Sequence, residues 1–421
     1  MTTVPLKYVA RINAGQSPPS AEVADLSAGR PFLQGNAEFR EVYPSARYEC
    51  VTAPKTARVG DVLLSVRAPV GALNIADLPY GIGRGLCAIT AVDCDARFLW
   101  WWLHHARPAL DAVSTGTTYR AVTAENVGAL PYPVLQGNEQ RRIADFLDAE
   151  TARIDRLVDL RRIQLLRLEE RAYAAVSETL VPGILRSPQS SGPWPWLPAM
   201  ASDRPLVRLG YVCRLQNGLT IDGKRDLSGD VVTRPYLRVA NVQAGHVDLD
   251  SVVEVTVPRD IATRTSLRPG DVLMTEGGDL DKLGRGTVWR GELPECLHQN
   301  HVFALRPETD RLDGGYLALM TSTLHGRCYF ESTGSKTTNL ASTNSSKIMS
   351  FPIPLPSVAT QRALAAEVQA AIDNSQAAKR LLECQLVLLA ERRQALITAA
   401  VTGQFDVSTA SGRNVTEGIT A

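Results

Sequence analysis

Long apolar runs are missing from this chain of 421 residues. No stretch of eighteen apolar residues occurs, so no membrane-spanning helix is expected. The first residues, MTTVPLKYVARINAG, lack the continuous apolar segment of a secretory signal. The seven cysteines are scattered, odd in number and never spaced C-x-x-C, which favours reduced thiols over disulfides or a zinc site. We therefore expect a cytoplasmic protein without a bound metal.

Signatures of catalysis are missing as well. The chain has no Asp/Asn-Pro-Pro-Tyr/Phe phrase of an amino-methyltransferase, no P-loop and no G-x-S-x-G nucleophile elbow. The phrase GIGRG at residues 81–85 lacks the full G-x-G-x-x-G spacing of a dinucleotide loop and opens onto a strand-like run. The sequence therefore favours a chain without catalytic residues or a cofactor of its own.

Charge of one sign is not in excess either. The 45 Lys and Arg residues nearly balance the 44 Asp and Glu residues, which leaves a formal net charge of +1. Overall charge thus gives no support for nucleic-acid binding, and any basic surface must be local. With 44% apolar and 21% charged residues, the composition is that of a soluble folded protein.

Two long helical patterns are the most prominent features present. Residues 138–181 and 357–403 carry apolar residues mostly three, four or seven positions apart, which is typical of a helix with one apolar seam. No glycine or proline interrupts residues 138–180, and Pro182 with Gly183 ends the first pattern. Each pattern follows a proline-punctuated, strand-like run, LPYPVL in the first case and FPIPLP in the second.

The segments before the two helices also repeat each other. YVARINAG at residues 8–15 matches YVCRLQNG at 211–218, and PFLQGN at 31–36 matches PYLRVAN at 235–241. VGDVLLS at 59–65 matches PGDVLMT at 269–275, and STGT at 114–117 matches STGS at 332–335. Between these phrases the two copies diverge, which indicates one scaffold that carries two different binding surfaces.

Short apolar runs bounded by Gly, Pro, Asn and Asp predict β-rich modules. We expect strands at residues 62–66, 86–92, 236–239 and 301–305, and short helices at 98–109 and 315–323. The predicted fold class is α+β, with two β-rich modules separated by two long helices. The boundaries are a first module at 1–137, a central helix at 138–181, a linker at 182–205, a second module at 206–356, a C-terminal helix at 357–403 and a disordered tail at 404–421.

In this order of motifs the chain resembles the specificity subunit of bacterial type I restriction-modification systems. The resemblance covers roughly residues 6–406 and is carried by the doubled order of module and helix. It is also carried by the phrases GDVLMTEGGD, KLGRG and HQNHVFALRP of the second module, and by EQRRI after the first proline strand. The second helix begins with Thr360-Gln361 instead of Glu-Gln, and the first module lacks the EGGD phrase.

The resemblance implies a DNA reader without catalysis of its own. Each module would be a target recognition domain for one half of a split, asymmetric site, and the helices would pair as an antiparallel coiled coil that sets the spacing. Methyltransferase subunits would dock on the helices, and a motor-nuclease subunit is a further possible partner. S-adenosylmethionine and ATP would then be bound by these partner subunits.

Polar residues in the variable loops are the candidate contacts to double-stranded DNA. Arg suits guanine, Asn suits adenine, and Lys, hydroxyl and backbone N–H groups suit phosphates. Taken singly, each is more simply explained as an ordinary solvated residue, and the Thr-rich loops at residues 114–120 and 332–339 are equally well explained as plain turns. The candidates are, in the first module, Arg67, Arg84, Thr117, Tyr119 and Arg120, and in the second, Lys224, Arg225, Arg238, Asn241, Lys282, Arg285, Lys336 and Asn339.

Other readings of the sequence stay open. Cys296, His298 and His301 are possible metal ligands, but a packed strand edge explains them better because no fourth ligand has suitable spacing. The three tryptophans at residues 100–102 would stack on bases or, more simply, form a helical core. The competing functions are a self-contained DNA methyltransferase or nuclease, and a coiled-coil adaptor whose modules bind proteins.

Overall fold

The computed structural model of the chain describes residues 2–114, 120–185, 206–221, 229–278, 283–336, 341–404 and 406–407. The chain divides into two compact units. Unit 1 contains Met1–Arg162 with Glu383–Ala421, and unit 2 contains Ile163–Leu382. Each unit thus holds one β-rich module together with parts of both long helices. None of the described helices is long and apolar enough to cross a membrane.

The first module consists of short strands with two helices, and a long helix follows it. Its strands form a four-stranded sheet β2-β10-β7-β8, a five-stranded sheet β3-β5-β4-β9-β6 and the pair β1-β11. In chain order the elements are β1 (Thr3–Pro5), β2 (Ala10–Ala14), β3 (Ala24–Asp25), β4 (Pro31–Leu33), β5 (Tyr48–Glu49), β6 (Thr56–Ala57), β7 (Val62–Ser65), β8 (Leu73–Ile75), β9 (Tyr80–Ile82), β10 (Leu86–Ala91), α1 (Ala96–Ala112), α2 (Ala124–Gly128), β11 (Pro131–Pro133) and the long helix α3 (Gly137–Leu180).

The second module repeats this plan and is followed by the second long helix. Its main sheet has the order β13-β20-β16-β18, with smaller sheets β15-β14-β19 and β17-β22-β21 and the pair β12-β23. In chain order the elements are β12 (Leu206–Arg208), β13 (Cys213–Asn217), β14 (Val231–Leu237), β15 (Val253–Pro258), α4 (Arg259–Thr265), β16 (Val272–Thr275), β17 (Gly277–Gly278), β18 (Gly286–Val288), β19 (Leu297–His298), β20 (Val302–Pro307), α5 (Gly314–Ser322), α6 (Leu324–Thr333), β21 (Ser335–Lys336), β22 (Ala341–Ser342), α7 (Ser345–Met349), β23 (Pro352–Pro354) and α8 (Val358–Val401).

Strand register shows that the two modules share one framework. β2 pairs antiparallel with β10 through Ile12 and Ile89, and β13 pairs antiparallel with β20 through Leu215 and Leu305. β4 pairs in parallel with β9, as β14 does with β19. The proline strand β11 pairs with β1, and β23 pairs with β12, so each module is closed by its own first strand just before a long helix begins. The predicted duplication is therefore present in the fold.

The repeated Gly-Asp-Val phrase forms a tight turn before a buried strand. Gly60 and Gly270 adopt φ values of 87° and 93°, a region that favours glycine. The carboxylate of Asp61 accepts a hydrogen bond from the Arg58 amide, at 2.7 Å. In the second module Asp271 does the same and also forms a two-pronged ion pair with Arg306, at 2.7 and 2.8 Å. This motif is thus structural.

Aromatic residues of α1 form much of the first module's core. Asp95 caps the helix by accepting hydrogen bonds from the amides of Arg97 and Phe98. Trp101 and Trp102 are buried, and the Trp102 ring packs against Tyr132 of β11 at a centroid distance of 4.9 Å. Trp100 is half-buried. Because these indoles are used for packing, the core interpretation of the tryptophan run is confirmed for Trp101 and Trp102.

The two long helices pack together in an antiparallel pair. In unit 1, Asp155 of α3 forms an ion pair with Arg393 of α8 at 3.1 Å. In unit 2, Glu169 of α3 forms an ion pair with Lys379 of α8 at 2.5 Å. From the first ion pair to the second, the residue number rises along α3 and falls along α8, so the two helices run antiparallel. Apolar side chains of both helices are buried in the core of each unit. The predicted fold class is confirmed.

A buried glutamine fastens each long helix to its module. The Gln140 side chain accepts a hydrogen bond from the Asp95 amide at 2.8 Å and donates one to the Leu135 carbonyl at 3.0 Å. Gln361 accepts from the Asp313 amide at 2.8 Å in the same way. Asp95 and Asp313 are the N-caps of α1 and α5. The Gln-Arg phrase that opens both helices therefore joins the helix to a capped turn of its module.

Candidate nucleic-acid interface

Three sequence-predicted arginines of the first module lie at one end of its four-stranded sheet. We call this the turn end, because β7 finishes there and the turn between β9 and β10 lies beside it. Leu86 at the start of β10 pairs with Ser65 at the end of β7. Arg84 is in that turn, and Arg67 follows β7 by two residues. Both are exposed, and together they line a cleft of about 170 Å³.

Arg120 joins the same end through backbone pairing. Its carbonyl accepts a hydrogen bond from the Ala68 amide at 3.1 Å, and the next residue, Ala121, forms a β-bridge with Arg67. Its guanidinium is exposed and lies 3.2 Å from the Asp111 carboxylate. An ion pair between exposed side chains contributes little stability, so Arg120 can exchange Asp111 for another anion. Thr117 and Tyr119 lie outside the described residues.

Close backbone packing explains the glycines around Arg84. A Cβ at Gly85 would lie 2.8 Å from the carbonyl oxygen of Gln34, and one at Gly15 would lie 2.1 Å from that of Gly83. Contacts this short exclude any larger residue without movement of the backbone. The glycines of the GIGRG phrase thus allow the Arg84 turn to lie against the ends of β2 and β4. The phrase opens onto β10, as expected for a loop unrelated to dinucleotide binding.

A second, larger cleft adjoins the Arg84 turn. It encloses about 780 Å³ and is lined by Gln34, Tyr48, Asp25 and Arg84 among others. The Gln34 amide donates a hydrogen bond to the Ser17 hydroxyl at 3.0 Å. Gln34 was not among the predicted contact residues, although it aligns with the predicted contact Arg238 in the repeated phrases at residues 31 and 235. That alignment was a signal in the sequence by which Gln34 could have been found.

In the second module, Arg238 and Arg285 lie near the corresponding turn end. There, Thr275 at the end of β16 pairs with Val302 at the start of β20. Arg285 precedes Gly286 of β18, and Gly286 pairs with Met274 near the end of β16. Arg285 is half-exposed and is one of the residues that line a cleft of about 700 Å³. Arg238 follows β14, is exposed, and donates one hydrogen bond to the Ser251 carbonyl at 3.0 Å.

Asn241 differs from the expectation for a base-reading amide. It is completely buried, its side-chain oxygen accepts a hydrogen bond from the Arg238 amide at 2.8 Å, and its NH₂ donates to the Asp248 carbonyl at 2.9 Å. Both ends of the amide therefore hold the loop after β14. A base cannot reach this side chain in the described conformation, and we leave Asn241 out of the proposed contact set for this reason.

Five predicted contacts in the second module cannot be assigned a side-chain environment. Lys224, Arg225, Lys282 and Asn339 lie outside the described residues. Lys336 belongs to β21, and its side chain is likewise outside the description. These residues remain predictions from the sequence.

The possible metal ligands of the second module do not form a site. Cys296 and His298 are buried, and burial raises the pKa of the Cys296 thiol to about 12. The His298 ring lies 2.7 Å from the Val302 carbonyl, and burial lowers its pKa. His301 is exposed and instead lies 2.5 Å from the Glu276 carboxylate. Within the described ranges, no three His, Cys, Asp or Glu side chains are grouped to hold a metal ion.

Sequence comparison matches the first part of the chain to a known family. The family described as "Type I restriction modification DNA specificity domain" matches residues 1–166. The match covers less than half of the chain, and this part of the sequence is similar to the DNA specificity domain of type I restriction-modification systems.

Two curated relatives illustrate the similarity. The chain is 34% identical over 178 residues to the "Putative type I restriction enzyme MjaX specificity subunit" of Methanocaldococcus jannaschii, a match that covers 42% of this chain and 41% of the relative. It is 27% identical over 198 residues to the "Type I restriction enzyme EcoKI specificity subunit" of Escherichia coli K12, with 47% and 40% covered. The chain thus matches about two fifths of the length of each of these relatives.

Solved structures agree in fold over nearly the whole chain. One, described as the structural basis of complex assembly and conformational transition of the type I R-M system, has a TM-score of 0.73 and 21% identity, and covers 96% of this chain and 98% of its own. The HsdS subunit of Thermoanaerobacter tengcongensis has a TM-score of 0.52 and 20% identity, with 96% and 97% covered. At these identities the likeness concerns the fold.

Proposed function

We propose that the chain is the DNA sequence-recognition subunit of a type I restriction-modification complex, in which each module reads one half of a bipartite, asymmetric site. The observation that carries the proposal is the repeated turn end with its unlike side chains. Arg67 and Arg84 lie there in the first module, and Arg285 lies there in the second. One framework with two different surfaces suits two different half-sites.

The chemistry of these side chains supports contact with a duplex. An exposed guanidinium forms two parallel hydrogen bonds to guanine in the major groove or binds a phosphate. Arg120 adds an exchangeable cation beside Arg67, because its present partner Asp111 is an exposed carboxylate. The proposed contact set in the described chain is Arg67, Arg84, Arg120, Arg238 and Arg285.

The long helices support a role in spacing. Each has 44 residues, and at ~1.5 Å per residue each is about 66 Å long. One turn of DNA spans only about 34–36 Å, so helices of this length suit half-sites separated by a spacer. We propose that the helices set that spacer.

Exposed apolar side chains on the helices suggest where partner subunits bind. In unit 1, Leu157 and Leu160 of α3 and Val387 and Leu388 of α8 are all at least 40% exposed. Exposed leucine and valine next to a helix pair are typical of a protein-binding surface. We propose that methyltransferase subunits dock here and that a motor-nuclease subunit joins the cytoplasmic complex. S-adenosylmethionine and ATP would be bound by those subunits.

Sequencing of modified bases tests the proposed function. Cells that express the chain with its methyltransferase partner should carry methylation at one bipartite, asymmetric motif with a fixed spacer. Cells that express either protein alone should carry none. Methylation of DNA by the purified chain with S-adenosylmethionine would favour the self-contained enzyme. Equal gel shifts on random and modified-motif duplexes, or no shift at all, would favour the protein-binding adaptor.

A further inference from the structure

In the first module, two adjacent backbone positions present an amide and a guanidinium. The first position follows β4, where the Leu33 carbonyl accepts a hydrogen bond from the Gly83 amide at 2.8 Å. The residue after Leu33, which occupies this first position, is Gln34. The second position lies in the turn before β10, where the Gly85 carbonyl accepts a hydrogen bond from the Val66 amide at 3.0 Å. The residue before Gly85, which occupies this second position, is Arg84.

In the second module, the same two positions carry the same two chemical groups in exchanged order. The Gln299 amide donates to the Leu237 carbonyl at 2.8 Å, and the residue after Leu237 is Arg238. The His301 carbonyl accepts a hydrogen bond from the Glu276 amide at 2.8 Å, just as the Gly85 carbonyl accepts one from Val66 in the first module. The residue before His301 is Asn300. The guanidinium thus occupies the first position and the amide occupies the second.

Gln34 and Arg84 of the first module lie next to each other and share Ser17 as a hydrogen-bond partner. The Ser17 hydroxyl accepts a hydrogen bond from the Gln34 amide at 3.0 Å and from the Arg84 backbone at 3.4 Å. Gln34 and Arg84 are exposed and line both clefts at the turn end. In the second module Arg238 is exposed and Asn300 is half-exposed. Arg238 uses one donor on Ser251, and a guanidinium has five.

We propose that Gln34 with Arg84, and Arg238 with Asn300, are specificity-determining pairs, in which the amide selects adenine and the guanidinium selects guanine. The inference rests on the proposed DNA-reading function and names the residues that carry it out. Asn and Gln pair with the N6 and N7 atoms of adenine, and Arg pairs with O6 and N7 of guanine. The exchange of the two groups on one framework then makes the half-sites differ in base order at these two positions.

Residue exchange between the modules tests the inference. The wild-type chain and its Gln34→Arg and Arg238→Gln variants, each in complex with the methyltransferase subunit, select duplexes from a randomised pool, and the bound fraction is sequenced. Gln34→Arg should change one position of the first half-site from adenine to guanine, with a change in preference of about tenfold or more. Arg238→Gln should make the reverse change in the second half-site. The untouched half-site reports that each variant is folded.

Matched controls remove a cation elsewhere on the framework. Arg11 of β2 and Arg214 of β13 are exposed and equivalent in the repeat. Arg11 pairs with Thr90, near the end of β10 remote from the turn. Arg11→Ala and Arg214→Ala should leave all base preferences unchanged.

The outcomes separate the inference from the proposed function. If the wild-type complex selects a bipartite motif and both exchange variants select that same motif, the pair assignment is refuted and the proposed function stands. If the wild-type complex enriches no motif, the proposed function itself fails. Should Gln34→Arg abolish binding, the smaller Gln34→Ala decides: relaxed choice at one position supports the assignment, and unaltered choice refutes it.

Discussion

At the scale of single residues, Gln361 has a structural role that its position at a helix start does not reveal. It is completely buried, and its NH₂ donates to the carbonyls of Arg311 and Pro356 at 2.9 and 2.8 Å. Its oxygen accepts from the amide of Asp313, the N-cap of α5. Loss of this side chain would leave three partly buried backbone groups without this partner, and such groups are costly to leave unsatisfied.

Gln361→Ala should therefore lower the free energy of unfolding by about 1–3 kcal/mol. Urea unfolding followed by circular dichroism measures this change. Gln369→Ala is the matched control, because Gln369 is exposed on the same helix and donates a hydrogen bond to the Asp373 carboxylate one turn away, at 2.9 Å. Equal stability of the two variants would show that the buried hydrogen bonds contribute nothing measurable.

Arg285 gives a residue-scale prediction about DNA. Arg285→Ala should weaken recognition of the second half-site about tenfold and leave the first unaffected, because Arg285 lies at the turn end of one module only. Competition binding with duplexes altered in either half-site measures the two effects separately.

Arg268 provides the matched control for this prediction. It is exposed and precedes β16 at the end where Val272 pairs with Val288. Arg268→Ala should leave binding nearly unchanged. Equal weakening of both half-sites by Arg285→Ala would contradict the assignment of one module to one half-site.

At the scale of elements, the long helices and the strands expected at residues 62–66, 86–92 and 301–305 are confirmed, whereas the two-residue strands were not predicted. The sequence placed the helices at 138–181 and 357–403, and they occupy Gly137–Leu180 and Val358–Val401. A repeating apolar seam over many turns is a strong local signal. Two-residue strands such as β5 and β6 carry no such period, since their pairing depends on distant partners. The expected linker and tail lie mostly outside the described residues.

Matched shortening of the helices tests their proposed role in spacing. Residues 160–166 of α3 and 382–388 of α8 lie between the Asp155–Arg393 and Glu169–Lys379 ion pairs. Deletion of both segments removes about 10 Å of helix and keeps the heptad phase. At ~3.4 Å per base pair, the spacer of the methylated motif should shorten by about three base pairs.

Sequencing of modified bases reads the spacer directly, and the two half-sites should stay as they were. Deletion of residues 160–166 alone is the control, because it shifts α3 against α8 and should destabilise the pair. A methylated motif with its original spacer in the doubly shortened chain would rule out the helices as the determinant of spacing.

At the scale of the whole molecule, the near-zero net charge means that DNA affinity must come from local cations. The logarithm of the binding constant should fall linearly with the logarithm of salt concentration, by ~0.9 per phosphate contact. If Arg120 binds a phosphate, Arg120→Ala should reduce that slope by about one. Anisotropy titrations of the complex between ~50 and ~200 mM salt measure it.

Arg11→Ala is the control for the salt series, since Arg11 is an exposed cation on β2 away from the turn end. It should leave the slope at its wild-type value. If wild type and Arg120→Ala have the same salt slope, Arg120 does not contact a phosphate.

The sequence by itself determined the duplicated order of modules and helices, because apolar periodicity, Gly and Pro act locally along the chain. It also identified Arg84 and Arg238 as polar residues of variable loops. Only the tertiary structure decided that Asn241 is buried and that Asn300 stands at the position equivalent to Arg84, as Gln34 stands at the position equivalent to Arg238. The physical reason is that side-chain neighbours at a sheet end depend on the register between strands far apart in sequence, such as β4 with β9 and β14 with β19.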